Sequence, residues 1–418
     1  MKILILPSEQ FIPAHEPLAG TFQNDQAKVL IKAGHKVSVI SVQLKYSLPM
    51  IAKAIIFRFI GKRPANATKH LKFSELLSLG WQKIFYPEKF IKKEYLNDLE
   101  IYRAEGFYMK APSPRSDYKY WIKAGMIAFD RYIKENGRPE IIHAHNALYA
   151  GLLAERIFES YQIPYMITEH SSYFSRNLYD SSLLPKAKSV FEKARIATAV
   201  SPFLIKCLED IFPAVTKWQL LPNVADPAFE EKPLQKNSNT ERFIFLHIAN
   251  LIPLKQQSLL IEAFHEAFNT DENVQLEFAG EGESFSHLQQ MINYLGEKGR
   301  IHLLGRLSKE AIFEKLNNVQ VVCLPSEYET FGVSLLEAIL RGVPVIASRC
   351  GGPDDIISEE NGILFTVNDK NGLKQALHTI KNKYPQYNSE SIKRAAIQKF
   401  GSASFLNKLE NYYRQMYN

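Results

Sequence analysis

Cysteine is scarce: Cys207, Cys323 and Cys350 are the only three in 418 residues, they lie far apart, and no C-x-x-C pair or Cys/His spacing accompanies them. An odd, scattered set excludes a disulfide framework and a cysteine-based zinc site, and fits a reducing compartment. Long hydrophobic runs are missing as well. The opening "MKILILPSEQ" has one lysine and an apolar run too short for the core of a signal peptide, and no later stretch reaches about 18 uncharged apolar residues. Neither a secretory leader nor a membrane-spanning helix is expected, which makes the cytoplasm the expected location. Internal repeats and low-complexity tracts are absent too. What is present, 46% hydrophobic and 23% charged residues, is ordinary for a folded globular chain. The length suits two or three domains at about 150 residues each.

The net charge of +7 is unevenly spread. From Lys45 to Tyr95 there are eleven Lys/Arg against three acids, a surplus of eight that leaves the remainder near neutral. Within that segment "SLPMIAKAIIFRFIGKR" (47–63) and "WQKIFYPEKFIKKEY" (81–95) interleave aliphatic and aromatic residues with lysine and arginine. Such a surface suits the boundary of an anionic bilayer, where each basic residue contributes about 1 kcal/mol. It equally suits a helical insertion whose apolar face packs on its own domain. Nucleic acid is not an expected partner, because no nucleic-acid motif accompanies the charge.

Short apolar runs alternate with helical patterns over most of the length. Strands are expected at 2–6, 36–41, 141–145, 165–170, 197–201 and 218–222, then at 243–249, 274–280, 300–305, 319–325 and 344–348. This βαβ rhythm implies an α/β protein with parallel sheets covered by helices on both faces. The polar stretch "ADPAFEEKPLQKNSNTER" (225–242) separates the two sets and reads as a linker. It divides the chain into an amino-terminal domain (1–224, with the basic insertion at about 45–125) and a carboxyl-terminal domain (243–400). The last residues (401–418) form an amphipathic helix.

The densest chemistry lies in "SEYETFGVSLLEAILR" (326–341). Three carboxylates, Glu327, Glu329 and Glu337, occur in eleven residues. Glu329 falls in the loop at a strand's carboxyl end and Glu337 inside the following helix, which Gly342 and Pro344 terminate. Open α/β sheets bind ligands in that crevice. A carboxylate among Leu335, Leu336, Ala338, Ile339 and Leu340 needs hydrogen-bond partners when buried, and vicinal hydroxyls supply two donors. An i,i+4 ion pair of Glu337 with Arg341 is the alternative.

Glu329-Thr330-Phe331-Gly332-Val333-Ser334-Leu335-Leu336-Glu337 resembles the E-x7-E signature of the family 4 glycosyltransferases. Further similar segments are "PLAGTFQNDQAKVLIKAGHKVSVIS", "IIHAHNALYAG", "TEHSS", "AVSPFLI", "LLPNVADPAF", "LEFAGEGE", "GVPVIASRCGGPDDII" and "NGILF". They span nearly the whole chain apart from the basic insertion. The resemblance implies the GT-B fold, two doubly wound Rossmann-like domains facing across a cleft with the last helix returning to the first domain. It also implies transfer of a hexose from a nucleotide-diphosphate sugar to a lipid-linked or polysaccharide acceptor, with retention of configuration. An epimerase of the same fold and a non-catalytic nucleotide- or glycan-binding relative are the alternatives. The basic segment would then hold the protein peripherally against the inner face of the membrane.

By the same resemblance Glu337 holds the ribose hydroxyls, Glu329 contacts the donor sugar, and the amides of Phe331 and Gly332 lie by its phosphate region. Lys255 of "NLIPLK" serves the diphosphate, where a transferase needs preorganised positive charge and N–H donors. Most members place an arginine at the position of Asn250, so either Asn250 supplies a neutral hydrogen bond or Arg306 assists. Gly20 lies near the donor diphosphate, although many members have two adjacent glycines where this chain has Ala19-Gly20. Thr21 is the expected cap of the helix that follows and Gly34 closes it. His145 faces the donor sugar, His143 is structural, and His170 lines the acceptor side. No cofactor and no metal are expected, consistent with the absence of an Asp-x-Asp triplet, the metal-diphosphate ligand of the other major glycosyltransferase fold.

Overall fold

The computed structural model describes residues 1–13, 20–60, 90–108, 114–215, 218–234 and 242–417. They form two compact units, one of Met1–Ala199, Leu208–Gln219 and Leu409–Asn418, the other of Val200–Cys207 and Leu220–Lys408.

The first unit is built on an eight-stranded sheet. Its strands are β1 (Lys2–Pro7), β2 (Lys36–Ser47), β3 (Ile91–Leu96), β4 (Leu99–Tyr108), β5 (Ile141–His145), β6 (Tyr165–Glu169), β7 (Ile196–Ala199) and β8 (Gln219–Leu220). Across the sheet they run β3-β4-β2-β1-β5-β6-β7-β8. Ile3, Leu4, Ile5 and Leu6 of β1 and Ile141 and Ile142 of β5 have no exposed surface. Continuous apolar runs are what a parallel strand covered on both faces requires. β1 pairs in parallel with β2 on one side and β5 on the other, so the strand order reverses there and a crevice opens at the strand ends.

Two strands of this sheet escape the sequence reading. β3 and β4 form an antiparallel hairpin with Leu96 opposite Leu99, turning on Asn97 and Asp98, with Asn97 at φ 52°. The turn lacks the Asn-Gly or Asp-Gly pair that marks a two-residue hairpin, and the lysines of the basic stretch read as surface. One of those lysines is not free for headgroups: Lys93 Nζ donates to Glu100 at 2.6 Å and Glu135 at 2.9 Å, and these two carboxylates push its pKa up. Helix Leu48–Phe59 keeps Lys53 exposed, and Ile56 and Ile60 are 57% and 53% exposed. The basic residues Lys62 to Lys89 lie outside the described residues. Among the described residues no helix is long and apolar enough to cross a membrane.

The second unit carries a six-stranded sheet of β9 (Phe243–Ile248), β10 (Val274–Ala279), β11 (Ile301–Gly305), β12 (Val321–Leu324), β13 (Val345–Ser348) and β14 (Gly362–Phe365). The order is β11-β10-β9-β12-β13-β14, all parallel, with the reversal at β9 between β10 and β12. Phe245, Phe264, Phe268, Phe278 and Leu377 belong to its buried core.

Part of the expected linker is structured, and its residues 235–241 lie outside the described residues. Pro227–Glu231 is a short helix capped by Asp226, whose Oδ1 accepts from Ala228 N at 2.9 Å, and Phe229 is 1% exposed. One aromatic in five helical residues creates no periodicity, which is why composition alone suggests a linker. Between the two units the chain passes at Ala199/Val200, Cys207/Leu208, Gln219/Leu220 and Lys408/Leu409. The helix Ser402–Gln415 ends within the first unit, where Tyr413 is fully buried with its hydroxyl 3.0 Å from His143 Nδ1.

Candidate functional site

In the second unit the chain leaves β9 through a loop whose Pro253–Lys255 form a single 3-10 turn, and leaves β12 through Pro325–Phe331. Both loops end at the strand-order reversal, which brings Lys255 and Glu329 together. Lys255 Nζ donates to Glu329 Oε1, and Ser326 Oγ donates to the same oxygen at 2.8 Å. The side chains are 19% and 13% exposed, a part-buried pair open to a ligand from one side. Two more bonds fasten the loops to each other: Glu327 N to Leu254 O at 2.9 Å, and Gln256 Nε2 to Glu327 Oε1 at 2.6 Å.

Glycines set this geometry. A Cβ on Gly352 would lie 2.3 Å from Phe331 N, so only glycine lets the turn after β13 press against that backbone, and Gly352 N donates to Glu329 O at 2.8 Å. A Cβ on Gly280 would lie 1.9 Å from Ala249 O, which holds the β10 loop against the start of the Lys255 loop. Sequence reasoning noticed both glycine-bearing segments without assigning them a task. Gly332, at φ 106° and ψ 62°, caps the helix Val333–Leu340, whose first amides have no partner within the helix by geometry. Phe331 is 2% exposed and packs edge-on against Phe400.

Glu337 is 6% exposed on that helix, with Leu335, Leu336, Ala338, Ile339 and Leu340 buried around it. Arg341 directs its guanidinium elsewhere than the i,i+4 alternative supposes: Nη1 donates to Lys232 O at 2.8 Å, and Nη2 to Pro233 O at 2.9 Å and Asn317 Oδ1 at 2.8 Å. It stitches the segment after Pro227–Glu231 to the unit. Asn250 is exposed, and its carbonyl accepts from Ile252 N at 3.0 Å and Gln257 Nε2 at 2.9 Å. Gln257 Nε2 also lies 3.1 Å from His247 Nε2, whose Nδ1 donates to Cys323 O at 2.9 Å. Burial pushes the His247 pKa down to about 4, so the ring is neutral and serves the loop as scaffold. Arg306 Nε lies 3.5 Å from Glu281 and is about one-third exposed. Among the described residues no cluster of three His, Cys, Asp or Glu is placed to hold a metal ion.

In the first unit the reversal gathers histidines. His143 stacks on His145 with centroids 4.5 Å apart, and His145 on His170 at 5.0 Å. His143 Nδ1 lies 2.9 Å from Gln26 Nε2 and Nε2 lies 2.7 Å from Thr168 Oγ1, a fully engaged and fully buried ring. Burial and then His170 push its pKa down to about 3. His145 Nδ1 is 2.8 Å from His170 Nε2, while its buried Nε2 has no partner among the described residues. Gly20 caps the helix Thr21–Lys32 in place of Thr21, at φ 74° with no side-chain bond. The close approach it permits is to its own chain, since a Cβ there would lie 3.1 Å from Phe11 Cα and 3.3 Å from Gln10 O.

The profile of the family described as glycosyl transferases group 1 matches residues 228–399, and that of Glycosyltransferase Family 4 matches 91–229. Together they run from 91 to 399, well over half of the chain. The N-acetyl-alpha-D-glucosaminyl L-malate synthase of Bacillus anthracis is 28% identical over 66% of this chain and 74% of that protein. Sucrose-phosphate synthase from Thermosynechococcus elongatus superposes with a TM-score of 0.74 at 17% identity, covering 100% of this chain and 99% of the other. The Anabaena protein HepE, solved with UDP, gives 0.65 at 17% identity over 98% and 99%.

Proposed function

The chain belongs to the family 4 glycosyltransferases of the GT-B fold, and on that premise we propose that it transfers a hexose from a nucleotide-diphosphate sugar to a lipid-linked or polysaccharide acceptor, with retention. The observation that carries this reading is the Lys255–Glu329 pair at the β9/β12 reversal. The bond from C1 to the diphosphate breaks while the acceptor oxygen bonds C1 on the same face, and the acceptor's proton passes to the leaving phosphate oxygen. Lys255 and the amides of Phe331 and Gly332 stabilise the charge that develops there. Glu329 exchanges Lys255 for hydroxyls of the sugar, and Glu337 takes the ribose hydroxyls. The UDP held by HepE supports a nucleotide ligand for this fold. No step uses a metal.

The reading sets the protein against the inner face of the membrane, supported by exposed Lys53 and Ile56 on the helix Leu48–Phe59 and exposed Ile60 just after it. The test is binding and turnover with a panel of UDP-, GDP- and ADP-sugars, with and without chelator. One donor class is expected to bind and react regardless of chelator, and Glu337→Ala to lose nucleotide affinity by about 10- to 100-fold, the worth of hydrogen bonds to a charged group. Unchanged affinity in Glu337→Ala sinks the ribose assignment. Activity lost to chelator and restored by manganese sinks the metal-free step.

A further inference from the structure

The first unit holds a cavity of about 350 Å³ that none of the roles above uses. It sits where β1, β5 and β6 end, with Ser8 following β1, Asn146 and Leu148 following β5, and Glu169 closing β6. That is the reversal point of this sheet, where open α/β sheets take ligands. Most of its walls are aliphatic carbon and aromatic ring, from Leu148, Leu152, Phe174 and the rings of Tyr118, Tyr149 and Tyr173, whose hydroxyls are the polar exceptions.

The polar side chains at its edge are engaged with backbone. Ser8 Oγ lies 2.8 Å from His145 O and 2.6 Å from Leu148 O, and accepts from Ala150 N at 3.1 Å. Asn146 Oδ1 accepts from His170 N at 2.9 Å, and Ser171 Oγ from Tyr173 N at 3.0 Å. The Glu169 carboxyl accepts from Ala147 N at 2.9 Å and Ser171 N at 3.1 Å. A buried sugar needs a polar group opposite each hydroxyl, and these groups are committed to cross-tying the loops. A hydrocarbon chain asks nothing of them. The loop is also held in a costly shape, with Asn146 at φ 71° and ψ 144° and Tyr149 at φ 65° and ψ −81°, conformations that non-glycine residues keep mainly at ligand sites.

We propose that this cavity takes the hydrocarbon chain of the lipid that carries the acceptor sugar. The inference rests on the transferase reading and narrows its acceptor to a lipid-linked one. The source of the chain fits the described part of the unit, where Lys53 and Lys92 are exposed together with Ile56 and Ile60, basic and apolar groups complementary to anionic lipid.

Calorimetric titration of the full chain with n-alkyl phosphates from hexyl to dodecyl, below their aggregation concentrations, tests it, with inorganic phosphate and methyl glucoside as controls. Affinity is expected to rise about fourfold per methylene, equivalent to about 0.8 kcal/mol, and then flatten once the chain fills the cavity. Leu148→Trp at a half-buried wall position is expected to abolish the chain-length dependence while nucleotide-sugar binding, read in the same sample, is unchanged. Leu183→Phe fills the cavity from another wall and replaces it should Leu148→Trp not fold. Absence of chain-length dependence, its survival in the filled variants, or displacement of dodecyl phosphate by methyl glucoside overturns the proposal. Chain binding without nucleotide-sugar turnover strikes the transferase reading instead.

Discussion

The two sheets reverse their strand order in the same way, β1 lying between β2 and β5 and β9 between β10 and β12, yet the two reversals gather opposite chemistry. Around the end of β9 stand an ammonium and a carboxylate, Lys255 and Glu329, part-buried and bonded to each other. Around the end of β1 and β5 stand stacked histidines and an aromatic cavity. Burial pushes the pKa of His143 down to about 3 and that of His145 well below its ordinary value, so these two rings are uncharged at neutral pH. Topology therefore decides where a ligand lies, and residue type decides whether it is an anion or an apolar body. A charged leaving group suits the first environment and is repelled by the cost of desolvation in the second.

The strongest way to break that contrast is Lys255→Ala. Removal of one preorganised donor from a developing oxyanion lowers kcat by about 10²- to 10³-fold, and that loss is expected here, measured as sugar transfer under saturating donor. Alkyl-phosphate binding by the first unit should not change in the same variant. A loss below tenfold would mean that the charge at β9 belongs to the fold of the loop and not to the reaction.

A smaller effect separates the units by pH. A histidine buried neutral has a folded pKa below its unfolded value, so its contribution is complete above about pH 6.5 and is lost as pH falls toward the folded pKa. His143, with its folded value at about 3, then accounts for about 3 kcal/mol of lost stability by pH 4.5, at about 1.4 kcal/mol per pH unit. His145 adds to the loss with the same sign, and His247 is the counterpart in the second unit. Glu169 opposes them. Burial raises its pKa to about 7, so its contribution is present in acid and lost as pH rises through 7. Unfolding free energies measured between pH 7 and 4.5 should fall less steeply for His143→Gln than for the parent, and more steeply for Glu169→Gln. Parallel slopes in all three would show that neither group titrates on unfolding.

Much of this contrast is legible in the sequence. "IIHAH" marks β5 residue for residue, and Glu329 and Glu337 stand out because carboxylates are rare at a strand end and inside an apolar helix. The α/β class is legible because parallel strands buried on both faces need continuous apolar runs. Other features have no local signal. Ser326 and Gly352 act only because β13 returns beside β12 and places its turn on Phe331, a contact made by 20-odd residues of intervening fold. The cavity beside Glu169 is assembled from five separate segments, and the positive φ of Tyr149 in its wall is one that no residue type announces. The hairpin of β3 and β4 was hidden by lysines that look like a surface until Glu100 and Glu135 are seen to pair with Lys93.

The gentlest change tests the charged end by adding to it. Asn250→Arg restores the arginine that the family resemblance places at this position. The side chain is exposed, and the loop is held through the carbonyl of Asn250, which any residue retains, so the fold should accept the substitution. An exposed guanidinium beside a diphosphate is worth up to about 1 kcal/mol, which predicts a donor KM lowered by no more than about fivefold and a dependence on ionic strength. Because such an interaction is made equally with bound donor and transition state, kcat should stay where it is. A rise in kcat would mean that the missing cation acts on the leaving group itself. No change at low salt would mean that the β9 loop turns this position away from the diphosphate, and that Lys255 is the cation of that loop on which the reaction depends.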